Sequence, residues 1–181
     1  RDSQPISRCD ILVTNSMPGS YANLYGIKLE NTDGVGLSVI QDCLIRLYGR
    51  GDNRFLYGLY MQDGNLRNNR IYCALDETNS YARGINRIYY QGDTEANSIR
   101  LAIPAGSFGV GLYLDSHFNP ASVLQANGNI FALEGSGTGP GIFKSASFSA
   151  IFSNASNLVY GFTPAFSNCS AGAGTLFLPP L

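Results

Sequence analysis

The sequence predicts an all-β fold, a parallel β-helix of about six coils, and two recurring markers carry this prediction. The first marker is a glycine followed by an apolar residue, any residue and a second apolar residue, as in Gly58-Leu59-Tyr60-Met61. The second marker is an asparagine, any residue and an isoleucine, as in Asn69-Arg70-Ile71. Two independent markers that share one period indicate an internal repeat, and a period of this size is typical of stacked or bladed architectures.

The markers recur in the same order along most of the chain. The first returns every 26 to 32 residues, at Gly26, Gly58, Gly84, Gly111 and Gly141. The second returns at Cys9-Asp10-Ile11, Asp42-Cys43-Leu44-Ile45, Asn97-Ser98-Ile99, Asn127-Gly128-Asn129-Ile130 and Asn154 to Leu158. Apolar residues alternate with period two, and no stretch has the longer stripe that a helical repeat requires. About three short strands fit each period, which suits a β-helix coil better than a four-stranded propeller blade.

The repeated pattern of these markers over about residues 6–160 resembles right-handed parallel β-helix proteins of the pectin-lyase-like superfold. In its Tyr-Gly-Ile and Asn-x-Ile repeats the chain looks closest to uncharacterised bacterial surface proteins of this kind. The resemblance implies a right-handed coil. It says little about activity, because this superfold carries lyases, hydrolases, tail fibres and surface proteins, and the function depends on the site.

The register of the repeat predicts which residues are buried and which asparagines stack. We expect an asparagine ladder in one turn column, since asparagine tolerates the left-handed backbone conformation and its amide can stack on the next coil. The predicted ladder is Asn69, Asn97, Asn127 and Asn154. The predicted core columns contain Leu29, Leu59, Met61, Ile71, Ile99, Leu112, Leu114, Ile130 and Ile142.

The composition excludes several classes of function. The 181 residues suffice for one domain, and only 14% are charged, with a net charge of −1. There is no basic patch for nucleic acid, and the two lysines, Lys28 and Lys144, are too few for adhesion to anionic lipid. No apolar run is long enough to span a membrane.

The four cysteines show neither a CxxC motif nor a histidine at zinc spacing, so we expect no metal and no cofactor.

The two ends of the chain suggest a part of a longer protein. The chain starts with Arg1-Asp2, carries no signal peptide and enters the first coil partway through. We expect residues 1–181 to form a single β-helix domain of a longer chain, with residues 162–181 as a C-terminal capping tail. An uncovered coil exposes a strand edge, so we expect end-to-end or edge association through the N-terminal coil.

Cys9 and Cys43 occupy the same place in successive repeats. Adjacent rungs lie about 4.8 Å apart, which is compatible with the Cα spacing of a disulfide. The alternative is that both are small buried residues that fill a turn column, with their side chains parallel.

One motif suggests catalysis. Asn31-Thr32-Asp33-Gly34 resembles the Asn-Thr-Asp-Gly motif of polygalacturonase-like hydrolases. In that family the aspartate is one of three carboxylates that hydrolyse a glycosidic bond with inversion of configuration. The family has an Asp-Asp pair one coil later, where this chain has Asp52-Asn53, and its Gly-His-Gly and Arg-Ile-Lys motifs are missing. Asp33 and Asp52 are therefore weak catalytic candidates, and a turn role for Asp33 is the alternative.

A calcium-dependent lyase would need acids clustered on neighbouring coils and a basic residue. Asp63 and Asp115 follow the glycine-led strand closely, and Asp93 lies on the coil between them. Carboxylates at such positions commonly cap turns. Asp115, Ser116 and His117 are sequence neighbours and do not predict a catalytic triad.

The middle residue of the first marker points outward and gives the best binding prediction. Stacked at rung spacing, Tyr60, Tyr113 and Phe143 would form an aromatic stripe that stacks sugar rings or enters a partner. The alternative is that these are ordinary strand residues covered by their neighbours. Two further positions belong to the same outward-facing row: one is Lys28, and the other is either Asn86 or Tyr89.

Taken together, these features predict a non-catalytic extracellular or cell-surface module, a spacer or a binding and adhesion platform. The expected partner is a polysaccharide or a surface protein. The alternative function is a polysaccharide-degrading enzyme, either a polygalacturonase-like hydrolase or a calcium-dependent lyase.

Overall fold

The computed structural model describes residues 5–15, 22–30, 38–62, 64–88, 92–115 and 123–178. Over these residues the chain forms strands, turns and bends and no helix. Within the described part, accordingly, no helix is long and apolar enough to cross a membrane.

Each coil contributes three strands. The first two coils contain β1 (Ile6–Ser7), β2 (Asp10–Asn15), β3 (Ala22–Leu29), β4 (Val39–Gln41), β5 (Leu44–Gly49) and β6 (Arg54–Met61). The next two contain β7 (Asn65–Arg67), β8 (Arg70–Leu75), β9 (Tyr81–Arg87), β10 (Thr94–Glu95), β11 (Ser98–Ala102) and β12 (Phe108–Leu114). The last strands are β13 (Val123–Asn127), β14 (Ile130–Glu134), β15 (Ile142–Lys144), β16 (Ile151–Ala155), β17 (Leu158–Tyr160), β18 (Phe166–Ser167) and β19 (Leu176–Leu178).

Three sheets run the length of the solenoid, and every strand pair in them is parallel. Sheet A has the order β1-β4-β7-β10-β13-β16, sheet B β2-β5-β8-β11-β14-β17-β19, and sheet C β3-β6-β9-β12-β15-β18. Each strand inside a sheet thus pairs with the equivalent strands of the coils before and after it, and the terminal strands pair on one side only. The chain is a parallel β-helix whose three sheets contain six, seven and six strands over the described residues, which confirms the predicted fold class.

The glycine of the first marker is required by the approach of sheet B to sheet C. A Cβ added to Gly84 would lie 2.2 Å from Cγ2 of Ile99 and 2.8 Å from the carbonyl oxygen of Gly111. The same two contacts, with sheet B and with the next rung, recur at Gly26, Gly58, Gly111 and Gly141. The two sequence markers therefore recur together because the second supplies the side chain that the first must accommodate.

An asparagine ladder lies at the corner between sheets A and B, but only half of it was predicted correctly. Its members are Asn69, Asn97, Asn129 and Asn157. The Oδ1 atom of each one from Asn97 onward accepts from the backbone N–H and the Nδ2 of the preceding asparagine, at 2.9–3.1 Å. The Nδ2 atoms also donate to carbonyl oxygens of sheet A, such as Ile40 O at 2.9 Å.

The prediction of Asn127 and Asn154 in the ladder is wrong. The left-handed backbone conformation belongs to the residue before each ladder asparagine, at φ 51° for Asn68 and 64° for Gly128. The residue after Gly128, Asn129, is therefore the ladder member, and Asn127 lies in β13 of sheet A. Asn154 lies in β16, where its Nδ2 donates to Ser170 O and its Oδ1 accepts from Gly172 N.

Most of the predicted core is buried. Leu59, Met61, Ile71, Ile99, Leu112, Leu114 and Ile142 are at most 2% exposed. Leu29 is only half-buried. Ile130 is 44% exposed, so its predicted burial is wrong. It pairs with Ser98 in the outward-facing column, and the next residue, Phe131, takes the core position. A register error of one residue moves a side chain to the opposite face.

The last described residues continue the solenoid. β18 pairs with β15, and β19 pairs with β17. The side chains of Leu176, Phe177 and Leu178 are exposed. The capping role of residues 162–181 and the association through the N-terminal coil stay predictions.

Candidate binding face on sheet C

The outer surface of sheet C carries eight aromatic side chains, and we call it the aromatic face. It consists of Tyr25, Phe55, Tyr57, Tyr60, Tyr81, Phe108, Tyr113 and Phe143. Strand pairing arranges these residues in rows: Phe55 pairs with Tyr81 and Tyr81 with Phe108, and Tyr25 pairs with Tyr57. The face extends over strands β3, β6, β9, β12 and β15, one from each of five successive coils.

A bend at the glycine brings two tyrosines of one strand together. In β6 both Gly58 and Leu59 point into the core, so the alternation of the strand is broken there. Tyr57 and Tyr60 on either side both point outward. Their ring centroids lie 5.7 Å apart and the ring planes are nearly perpendicular, at 88°. Tyr60 contacts Tyr25 in the same edge-to-face manner, at 5.4 Å.

Five side chains, one from each coil, stack in a continuous column along the axis, which we call the ring column. Tyr25 stacks on Tyr57 with centroids 4.9 Å apart, and the guanidinium carbon of Arg83 lies 5.6 Å from the Tyr57 ring. The same carbon lies 3.6 Å from the centroid of Tyr113. Tyr113 in turn stacks on Phe143 at 4.9 Å. Four steps of about 4.8 Å give the column a length of roughly 19 Å.

The structure places the three predicted binding residues on this face but not in one row of contacts. Tyr113 and Phe143 are stacked, as the sequence predicts they should be. Tyr60 instead contacts Tyr25 and Tyr57, because Asn86 lies between Tyr60 and Tyr113 in the pairing. Asn86 is fully buried, and its Oδ1 accepts from Nη1 of Arg83 at 2.6 Å. The binding role of the three residues stays a prediction.

Sequence reasoning missed the other members of the face. Phe55, Tyr81 and Phe108 each precede a marker glycine by three residues, and Tyr25 and Tyr57 precede one directly. This fixed spacing from the glycine is the signal that would have found them. Arg83 also directly precedes a marker glycine, Gly84, and it occupies the tyrosine position of its coil.

Burial keeps Tyr57 and Tyr60 of the aromatic face in their neutral form. Burial raises the pKa of Tyr57, and the nearby Arg83 partly offsets this effect. Burial also raises the pKa of Tyr60, with a further contribution from the carboxylate of Glu30. At neutral pH both phenols are therefore protonated and can donate hydrogen bonds. Lys28 pairs with Glu30 at 2.9 Å and lies over the rings of Tyr25 and Tyr60.

Stacking decides which parts of the rings a ligand can touch. Rings that stack along the axis present their edges and hydroxyl groups outward and use their faces on each other. The column ends at Phe143, because the next position in its row is Ser167. In the neighbouring row the planes of the Tyr81 and Phe108 rings meet at 56° instead of stacking flat, which leaves an opening between the two rings.

A small cavity opens beside Arg83, and we call it the notch. It measures about 70 Å³ and is lined by Tyr81, Ala82, Arg83, Phe108, Val110 and Tyr113. A larger and more open cavity of about 380 Å³ lies at the last coil, between Lys144, Phe152, Asn154 and Cys169. Of these two cavities, the notch is the one on the aromatic face.

Only some of the acidic candidates lie within the described residues. Asp33, Asp63 and His117 lie outside the described residues. Asp52 is exposed in the turn between β5 and β6. Across the described ranges, no group of three or more His, Cys, Asp or Glu side chains could hold a metal ion. Asp115 lies near the aromatic face, where its charge contributes to the raised pKa values of Tyr57 and Tyr60.

The four cysteines are free thiols. Cys9 and Cys43 occupy the first two positions of the column that holds the ladder asparagines, since Cys43 N donates to Asn69 Oδ1 at 3.1 Å. Burial raises the pKa of the Cys43 thiol. The small buried role that the sequence allowed for Cys43 agrees with its 2% exposure.

Comparison with known proteins finds no family model that matches the chain, and neither curated proteins nor solved structures give a match. The functional argument therefore depends on the geometry of the aromatic face.

Proposed function

We propose that the chain is a non-catalytic binding module, exposed on a cell surface or outside the cell, that binds polysaccharide along the aromatic face of sheet C. The observation that carries this proposal is the ring column, in which Tyr25, Tyr57, Arg83, Tyr113 and Phe143 stack over five coils. These side chains are half-buried and leave part of their apolar surface in solvent, and contiguous apolar patches commonly mark an interaction site.

The shape of the face favours a linear polymer. The ring column is narrow and follows the solenoid axis, so an extended chain that lies beside it meets one side chain of the column at each rung. Tyrosine offers an apolar ring edge and a hydroxyl group on the same side chain, which suits the mixed apolar and hydroxyl surface of a sugar. The hydroxyls of Tyr57 and Tyr60 are neutral donors at physiological pH, as their raised pKa values require.

The β-helix supports such a site by holding it rigid. Apart from Tyr25 on the terminal strand β3, each side chain of the face lies on a strand that pairs with both neighbouring coils, and the asparagine ladder and the glycine contacts fix the register of these strands. Little conformational entropy is then lost when a ligand binds, which favours affinity. A spacer function is compatible with the same rigidity, and the aromatic face would then be the attachment point.

Retention and turnover on a panel of neutral and acidic polysaccharides test the proposal. The expected result is that the protein is retained by at least one polymer and releases neither reducing ends nor unsaturated products. Retention by none of the polymers would contradict the binding role. Product formation that disappears in Asp33→Asn would contradict the non-catalytic role and favour the hydrolase.

A further inference from the structure

Arg83 differs in its partners from four other arginines on the surface of the solenoid. Arg46, Arg50, Arg67 and Arg100 each pair with a carboxylate. Among the described residues, no carboxylate forms an ion pair with Arg83. Its guanidinium is instead held between two rings, at 3.6 Å from the Tyr113 centroid and 5.6 Å from the Tyr57 centroid. Asp115 also places a negative charge near this face, where it acts on Tyr57 and Tyr60.

The guanidinium is also oriented by a hydrogen bond. Nη1 donates to Oδ1 of Asn86 at 2.6 Å, and Asn86 is completely buried. This contact uses one of the five N–H groups that an arginine offers. Stacking on Tyr113 fixes the plane of the guanidinium group, so its remaining N–H donors have a defined direction. A planar fork of this kind matches a carboxylate or a sulfate, which it can bind through two parallel hydrogen bonds.

The notch beside Arg83 limits the size of what can enter. Its volume of about 70 Å³ is roughly that of two water molecules in the liquid. A substituent of a few heavy atoms fits, whereas a whole sugar ring does not. The walls are the rings of Tyr81, Phe108 and Tyr113, and such an apolar surrounding strengthens a hydrogen bond to a charged group.

We propose that the notch binds an anionic substituent, a carboxylate or a sulfate, of a polysaccharide that lies along the aromatic face. This inference rests on the proposed function and adds the chemical class of the ligand. Arg83 is the residue that contacts the anion, through the donors that Asn86 leaves free. Asn86 is a positioning residue, because it holds Nη1 and directs the rest of the fork toward the opening.

The first test compares polymers that differ in charge. Dissociation constants are measured for a neutral polysaccharide and for its uronate and sulfated counterparts, with the parent, Arg83→Gln and Arg100→Gln. Arg100 is the matched control, since on sheet B it also contacts a tyrosine ring, that of Tyr72 at 5.3 Å. We expect the parent to prefer one or both acidic polymers, and Arg83→Gln to lose roughly 10- to 100-fold for them.

In the same test Arg83→Gln should lose clearly less affinity for the neutral polymer than for the acidic polymers, because only the acidic polymers lose the contact with the anion, and Arg100→Gln should behave as the parent does. Preference for the uronate or for the sulfated polymer then identifies the source of the anion. Equal affinity of the parent for neutral and acidic polymers, or an unchanged Arg83→Gln, would overturn the inference while the proposed function stands.

A second test does not depend on polymer binding. The side-chain Nε–H resonances of Arg83 and Arg100 are followed by NMR while acetate or inorganic sulfate is added, with the two variants used for assignment. We expect a saturable shift at Arg83 that exceeds the shift at Arg100. Equal or absent shifts would overturn the inference. A saturable shift at Arg83 in a protein that binds no polysaccharide would support the anion site and reject the proposed function.

Discussion

Gly58 of sheet C lies directly against Ile71 of sheet B. A Cβ added to Gly58 would come within 2.3 Å of Cγ2 of Ile71 and within 2.5 Å of the carbonyl oxygen of Gly84. Neither neighbour can move freely, because Ile71 is 2% exposed and Gly84 O belongs to the backbone of the next coil. This contact, repeated on each coil, joins the two sequence markers and fixes the bend that exposes Tyr57 and Tyr60.

Gly58→Ala should therefore destabilise the protein by at least about 1–3 kcal/mol, the usual cost of overpacking a core. Chemical denaturation gives the free energy of unfolding. The matched control is Ser98→Ala, which removes an exposed hydroxyl from the outer face of sheet B and should change little. A Gly58→Ala variant as stable as the parent would show that the two sheets approach less closely than described.

The register at β14 predicts that alanine substitutions at two neighbouring residues have very different effects on stability. Phe131 is fully buried in the column of Ile99, and Ile130 is 44% exposed. Phe131→Ala should lower the free energy of unfolding by about 3–5 kcal/mol because it leaves a cavity. Ile130→Ala should stay within about 0.5 kcal/mol of the parent, as surface substitutions usually do. The reverse order in thermal or chemical melts would restore the register expected from the sequence.

The fold was predictable because its cause is local and periodic. Gly58 and Asn69 recur at a fixed place in each coil, so counting along the chain reveals the solenoid. The register within a coil was harder to predict where two candidate asparagines lie close together, as in Asn127-Gly128-Asn129. The sequence alone does not show that the left-handed residue precedes the ladder asparagine, and the error at Asn127 carried over to Ile130.

The candidate site was only partly predictable. Tyr60, Tyr113 and Phe143 follow from the alternation after the glycine. The contact of Arg83 with Tyr113 does not, because these residues belong to different rows and meet only when the arginine side chain leans across Asn86. Contacts between rows depend on side-chain directions, which a period does not encode.

The asparagine ladder should contribute more to stability than asparagines elsewhere on the coil. Asn97 Nδ2 donates to Leu66 O at 3.0 Å and to Asn129 Oδ1 at 3.1 Å, and its Oδ1 accepts from Asn69. Asn97→Ala leaves these buried groups without partners, at a cost of about 1–3 kcal/mol for each. Asn127→Ala removes a half-buried side chain whose Nδ2 donates to Gln125, and is the control. Equal unfolding free energies for the two variants would contradict the ladder.

The thiol of Cys73 should make the protein sensitive to alkali. Burial raises its pKa from an ordinary value of 9.0 to about 12. The unfolded state then loses its proton first, so the stabilisation from the neutral thiol is present below about pH 9 and lost as the pH rises toward 12. Cys73→Ala should show a shallower loss of stability over this interval than the parent.

Labelling kinetics check the same group directly. At pH 8 a thiol reagent should modify Cys73 only when the protein unfolds, whereas the half-buried Cys9 should react in the folded state. Equal labelling rates for Cys73 in native and denatured protein, or an unchanged pH profile in the alanine variant, would show that this thiol is accessible.

The central claim is that sheet C binds polysaccharide through its aromatic face, and one comparison of affinities tests it most directly. Tyr113 stacks on Phe143 and Arg83 on sheet C, while Tyr72 contacts Tyr48 and Arg100 on sheet B. Calorimetric titration with a polysaccharide that retains the parent should show that Tyr113→Ala binds at least about tenfold more weakly, consistent with loss of one or more kcal/mol of ring contacts. Tyr72→Ala should bind as the parent does. Equal affinities for the parent and Tyr113→Ala, or a loss confined to Tyr72→Ala, would contradict the account.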